Sequence, residues 1–490
     1  MPFSDLDEDL VPRILEFCDV RSALRVGQTS RLLRELSQKR TVWRALLEDL
    51  AYRGVLHRLP ENALRDYSAT CLCQEVKRAV CGPETWLPDS TRKPIPLRTV
   101  TLTSDSVSDA LSLVRVDANF IFLQRAAILE MWSIPDASRV WSRDVSSALG
   151  GDTDMQESRK EVQILLCYPA ARYWGFKLTK VDLETQQETT LLEILLLGFG
   201  WCRFSLPVVC GRLVLAAVKN PRNPDQPLVL LIDWRSRLYT MFPLDGIMSR
   251  ALTANLTSDH VTVAYASPAP LHDLHLAVYS VSSIPRDRWF PLATLAPDTC
   301  VITHATPMVS QRLSAVPDPE DVTLVFDKNP LVHNSFVAKL YVSGTYDAST
   351  SKSTIGNGNR LVRFGFVLRR TASTVTQRRA TLFTFTLTRS PTAPGLWTWR
   401  AVSSVPAVSR LSHPAMSLAG YVTLQLPQPE RTAVVDVQLV RAGVKQLRRR
   451  EVSLEGTYEA REGWRVVAVA QTSAAAVWVK GKTLRVVYYR

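Results

Sequence analysis

Beyond Leu97 the chain returns repeatedly to one cassette: an apolar run, a short polar turn, and another apolar run. It is plain in AAILEMWSIPDASRVW, GFKLTKVDLETQQETTLLEI, PLVLLIDWRSRLYTMFP and LHLAVYSVSSIPRDRWFPL, and again in TLFTFTLTRSPTAPGLWTW and AVVDVQLVRAGVKQLRRREVSL. Such runs, bounded by turn formers, read as strands joined in hairpins. The copies recur at roughly 45 to 50 residues, within the range of propeller-blade repeats. One copy, between His275 and Thr381, is poorly defined. The spacing predicts a β-propeller of about seven four-stranded blades, with six or eight left open. Ring closure has candidates in LRTVTL at Leu97 and LRVVYYR at Leu484, which are expected to be neighbours in one blade.

Before Pro88 the period is helical. Leu6, Leu10, Val11, Ile14 and Leu15 make one stripe, with Ser4 and Asp7 placed to cap its start. Asp19 and Ser22 offer caps for a second short helix, Thr29 for a third carrying Leu32, Leu33 and Leu36, and Thr41 for a fourth carrying Trp43, Leu46, Leu47 and Leu50, which Gly54 would stop. A further helix is expected from Ser68 to Val80, where Leu72, Val76 and Val80 repeat every fourth residue, ended by Gly82-Pro83. The expected class is therefore α+β multidomain: helices at 1–54, a helical linker at 55–95, and an all-β propeller at 96–490.

Composition narrows the setting. With 59 Lys and Arg against 46 Asp and Glu, the +13 excess is moderate over 490 residues and fits solubility. The acidic opening (Asp5, Asp7, Glu8, Asp9) has no basic stretch followed by an apolar run, and the most apolar region, 191–218, is broken by Glu193, Arg203, Pro207 and Arg212. A soluble protein of the cytoplasm or nucleus is expected, with its eight cysteines reduced. Nothing in the chain calls for a membrane or nucleic-acid partner, and the basic stretches 368–379 and 444–451 read as solvated hairpin turns.

Several fragments imitate chemical sites. VKGKT at Val479 lacks the earlier glycine of a phosphate loop, since Ala476 stands there, and Lys480-Gly481 reads as a hairpin turn. GNGNRL at Gly356 has Leu361 where a dinucleotide fingerprint needs its third glycine. His272 and His275 have no third ligand fixed by spacing, and Cys71, Cys73 and Cys81 have the wrong separation for a zinc knuckle. The polar stretches GGDTDMQESRKE at Gly150 and GTYDASTSKSTIGNGNR at Gly344 are expected to be exposed loops. No cofactor, metal or catalytic residue is expected.

The order of residues in the opening stretch resembles the F-box family, over roughly the first 45 residues. Leu6, Leu10, Ile14-Leu15, Cys18-Asp19-Val20, Leu24, Thr29-Ser30-Arg31, Leu36 and Trp43 fall where that motif carries its apolar helix, its Asp turn, its polar-then-Arg helix and its closing tryptophan. The family's opening Leu-Pro pair is replaced, since Asp7 follows Leu6 and the proline comes at Pro12. LLEDLAYRG, VKRAVCGPETW and ILEMWSIPDASRVW are similar to the way F-box chains with WD-repeat-like propellers connect the two parts. The resemblance implies a non-catalytic substrate receptor of an SCF-type cullin-RING ubiquitin ligase. Leu6, Leu10, Val11, Ile14, Leu15, Leu24, Leu32, Leu36 and Trp43 would then serve a Skp-type adaptor, itself carried by a cullin scaffold, and the propeller would hold an unknown protein substrate. Two other readings stay open: an F-box scaffold that directs no ubiquitin transfer, and a propeller enzyme with a helical cap.

Overall fold

The computed structural model describes residues 7–53, 55, 61–81, 96–103, 111–117, 120–125, 128–145, 150–155, 160–169, 173–201, 207–244, 252–266, 273–313, 319–333, 335–346, 377–389, 397–407, 421–425, 433–438, 449–453, 465–469 and 475–489. Six helices come first: α1 (Leu10–Glu16), α2 (Val20–Val26), α3 (Arg31–Ser37), α4 (Arg40–Tyr52), α5 (Glu61–Asp66) and α6 (Ala69–Cys81). No described helix is long and apolar enough to cross a membrane. From Pro96 onward the described elements are strands and short 3-10 turns, so the change of period read in the sequence is a change of architecture.

The described strands form seven antiparallel sheets, most of their strands consecutive in the chain. In chain order they occupy 111–144, 150–197, 200–243, 252–313, 319–407 and 421–453, and the seventh joins 465–489 to Pro96–Thr103. The first strand of one sheet touches the first strand of the next: Leu111–Asp117 meets Gly150–Met155, which meets Val208–Cys210, then Leu252–Leu256, then Pro319–Lys328. On the other side Leu111–Asp117 meets Arg465–Val469, which meets Tyr421–Gln425. First strands gathered about an axis, with later strands stepping outward, make a β-propeller.

The two ends of the β region are neighbours, as expected. Pro96–Thr103 pairs antiparallel with Thr483–Tyr489, from Thr103 opposite Thr483 to Pro96 opposite Tyr489. The seventh sheet therefore takes its outermost strand from the start of the β region and its other three from the end.

The core lies in layers between neighbouring blades. Leu165, Phe176, Leu178 and Leu192 of the second blade pack on Val214, Leu230 and Met241 of the third. Leu215 and Leu231 then meet Val261 and Val263 of the fourth, whose Leu276 and Val278 meet Leu324 and Leu340 of the fifth. Middle strands are covered on both faces, which is why Pro227–Asp233 and His260–Ala266 are buried along their whole length. A burial of this kind needs continuous apolar runs rather than alternation.

Two hairpins between third and fourth strands share an aspartate device, and a third uses a serine at the same place. Asp182 accepts from the amides of Glu184 and Thr185, and Asp233 from those of Arg235 and Ser236, while Ser133 Oγ donates to Asp136. Each turn places a non-glycine residue in the left-handed region: Ala137 at φ 50°, Gln186 at 58° and Arg237 at 56°. The fourth blade replaces this short turn with residues 281–308, which lay Phe290–Pro291 along the outer edge of the third blade. LHLAVYSVSSIPRDRWFPL is thus a correction: it is not one hairpin, since Leu274–Ser280 pairs with Val309–Leu313 and its second apolar run, Phe290–Pro291, joins the third blade instead.

GGDTDMQESRKE is a correction. Gly150–Met155 is the first strand of the second blade rather than a loop, and 156–159 lie outside the described residues. Its acids are structural: Asp152 Oδ2 accepts from Val209 N at 2.9 Å and Asp154 Oδ2 from Gly211 N at 2.6 Å, tying the second blade to the third. A strand facing the channel carries polar residues without losing core, so polarity misread it. Of the other polar stretch, Gly344 to Tyr346 end a strand, and 347–360 lie outside the described residues with GNGNRL. Of the basic stretches, Gln377 to Arg379 and Arg449 to Glu451 lie in strands rather than turns, and the remainder falls outside the described residues.

Candidate functional site

The opening helices are too short to stand alone, and they share one core. Val11, Leu15, Val20, Ala23, Leu36, Val42, Trp43, Leu46, Leu47, Leu50, Leu64, Leu72 and Val76 are buried together. The thirteen-residue α4 is the spine, contacting both α1 and α6. Arg40 ties its start to the linker, donating to the carbonyls of Tyr67 at 2.8 Å and Leu64 at 2.7 Å.

The helix starts partly differ from expectation. Asp19 caps α2, accepting from Ser22 N at 2.7 Å, as read from the sequence. For α3 the cap is Ser30, accepting from Leu33 N at 3.2 Å, whereas Thr29 Oγ1 turns back to donate to Val26 O. Either hydroxyl suits a cap, and only the backbone direction decides between them. Helix α4 begins at Arg40, ahead of Thr41, with no side-chain cap at Lys39. Helix α1 begins at Leu10, where Leu10 N donates to Asp7 O at 2.9 Å; Ser4 and Gly54 lie outside the described residues.

The nominated residues separate by burial. Val11, Leu15, Leu36 and Trp43 are buried and hold the helices together. Leu10, Ile14, Leu24 and Leu32 are 47%, 43%, 44% and 47% exposed. Leu6 lies outside the described residues. One exposed residue was missed: Phe17, 85% exposed, sits seven residues after Leu10 and three after Ile14, on the same face of α1. Continuing the Leu10 and Ile14 stripe by one turn was the signal that could have found it. The three helices bearing these side chains touch one another, α1 and α2 each contacting α3. Large apolar side chains thus stand in water on several adjoining short helices.

The described residues carry no comparable chemical centre. No group of three or more His, Cys, Asp or Glu among them could hold a metal ion. Burial pushes the Cys167 thiol up to about 11, and burial together with Asp154 and Asp152 pushes Cys210 up to about 12, the opposite of what a nucleophile needs. His260 is buried against Phe336, Phe326 and Trp397, and burial holds its pKa below the usual range. His275 stacks on Tyr265 at 5.1 Å, Cys71 is exposed on α6, and Gly481 forms the tight turn of VKGKT at φ 55°.

The sequence model of the F-box domain matches residues 3–45. No curated protein matches the chain. Among solved structures, the Myceliophteria thermophila Cps50 (Swd1) β-propeller domain is 12% identical, with 79% of this chain and 99% of that one covered at a TM-score of 0.40. The N-terminal domain of Nup159 is 11% identical over 82% and 98% at 0.35, and the WD40 domain of SCAP from fission yeast is 10% identical over 78% and 82% at 0.35. The residue order at the start, the shared helical core and the succession of antiparallel sheets thus come together in a chain that carries an F-box domain followed by a β-propeller.

Proposed function

We propose that the chain is the substrate-recognition subunit of an SCF-type cullin-RING ubiquitin ligase, with helices in 1–54 binding a Skp-type adaptor, 55–95 serving as linker, and the propeller in 96–490 holding a protein substrate. The observation that carries this reading is the division of the opening helices. One set of side chains makes their core, and Leu10, Ile14, Phe17, Leu24 and Leu32 remain in water. Burying that set against an adaptor gives a docking surface of the helix-and-groove kind.

The receptor's contribution is positional. It raises the effective concentration of a substrate lysine near the charged ubiquitin carrier and breaks no bond itself. No cofactor enters.

The test is co-purification of the full chain with a Skp-type adaptor, beside Ile14→Asp and Phe17→Asp. A charge at a buried contact should weaken binding by at least about 2 kcal/mol, roughly thirtyfold. Equal binding by folded variants would remove these residues from the interface, and no binding by the wild-type chain would remove the ligase reading itself.

A further inference from the structure

Among the described residues, the F-box helices meet the propeller at the hairpin 329–333, between the first and second strands of the fifth blade. Its contacts fall on two separate helix ends. At the start of α2, Arg21 N donates to Leu331 O at 3.1 Å, so a propeller carbonyl satisfies an amide that the helix itself leaves without a partner. Beside it Asp19 turns one carboxylate oxygen to Ser22 N and the other to His333 N, at 2.7 Å and 3.4 Å.

At the end of α4, Asp49 Oδ2 lies 3.0 Å from His333 Nε2 and 3.2 Å from Arg53 Nη1. Arg53 in turn donates to the carbonyl of Asn329. Between these polar ends Leu331 packs on the helical core itself. The hairpin is also held by its own bonds: Asn329 N donates to Ser335 O at 2.8 Å, Leu331 N to Asn329 Oδ1 at 2.9 Å, and Ser335 Oγ to Val332 O at 3.1 Å.

We infer that hairpin 329–333 is a working part of the F-box, completing its core and fixing the helices at one attitude on the ring. Leu331 supplies the apolar contact, and Asp19 and Asp49 clamp either side. The hairpin lies at the end of the blades that also holds the turn 257–259 of the fourth blade, because both join a first strand to a second. Antiparallel connectivity puts the turns joining second to third strands at the opposite end. The described helices therefore sit at that end of the ring.

Amide hydrogen exchange on the full chain, with no adaptor present, tests this. Leu331→Asp should speed exchange in α2 and α4 about tenfold or more, His333→Ala should do so less, and Leu331→Met should leave it near wild type. Strands Glu161–Pro169 and Leu213–Lys219 should keep their protection, showing an intact propeller. Unchanged exchange in α2 and α4 of Leu331→Asp would overturn the inference, and so would equal loss in the strands, which would make the hairpin a support of the sheet. Small-angle scattering should show a larger maximum dimension for Leu331→Asp than for wild type. An unchanged dimension beside faster exchange would overturn the fixed attitude. Because no adaptor is involved, these outcomes are separate from the ligase reading.

Discussion

Trp141 Nε1 donates to Glu188 Oε1 at 2.9 Å, joining the outermost strand of the first blade to the outermost strand of the second. Arg143 Nη1 reaches the other carboxylate oxygen at 2.8 Å. Trp141 is only 6% exposed, so removing its acceptor leaves the indole N–H without that partner in a buried place. Glu188→Ala should cost about 1–3 kcal/mol. Trp141→Phe should cost less in that background than in wild type, and denaturant midpoints of the four chains measure the coupling. Strict additivity would mean that the bond contributes nothing.

Lys339 lies in the middle of the fifth blade, 6% exposed, and burial pushes its ammonium down to about 7 against a smaller opposing pull from Asp327. The unfolded chain titrates this group near 10.4, so between about pH 7 and 10 it binds more protons than the folded one. This group therefore makes stability rise with pH across that window and adds no slope below it. Lys339→Met should flatten the rise in urea midpoints measured at pH 7, 8 and 9. Parallel curves would show that the ammonium is not desolvated.

Gln186 holds φ at 58°, where a side chain costs roughly 1 kcal/mol that glycine avoids. Since the added freedom of the unfolded state takes back about 0.4–1 kcal/mol, Gln186→Gly should stabilise the chain by at most about 0.5 kcal/mol, which calorimetry would register as a slightly higher Tm. A lower Tm would mean that the turn relaxes into another shape.

Ile14 and Leu15 are adjacent in sequence and 43% and 1% exposed. Leu15→Ala should destabilise the helical region by about 2–5 kcal/mol through the cavity it leaves, whereas Ile14→Ala should stay within about 0.5 kcal/mol. Helical circular dichroism on heating separates the two. Similar losses would place both residues in the core.

The ring was legible because its information is local and repeated. Most cassettes state their own hairpin, LHLAVYSVSSIPRDRWFPL being the exception, and LRTVTL and LRVVYYR stand out as strands needing partners. Burial on the helices was half legible: the stripe named Leu10, Val11, Ile14 and Leu15 together, yet only packing separates Val11 and Leu15, which face α4, from Leu10 and Ile14, which face water. Gly150–Met155 was misread because a channel-lining strand lacks the apolar signal. The docking hairpin was invisible, since His333 and Asp49 are 284 residues apart and neither sits in a motif.

The pairing of Pro96–Thr103 with Thr483–Tyr489 carries a consequence for how the protein is made. The first of these strands leaves the ribosome about 380 residues before its partner, a wait of roughly 20 to 80 s at synthesis rates of about 5–20 residues per second. Throughout that interval its edge is unpaired and the ring is open, a state in which exposed strands join the wrong neighbours. The newborn chain thus depends on whatever shields that strand, and slower translation of the later blades lengthens the exposure.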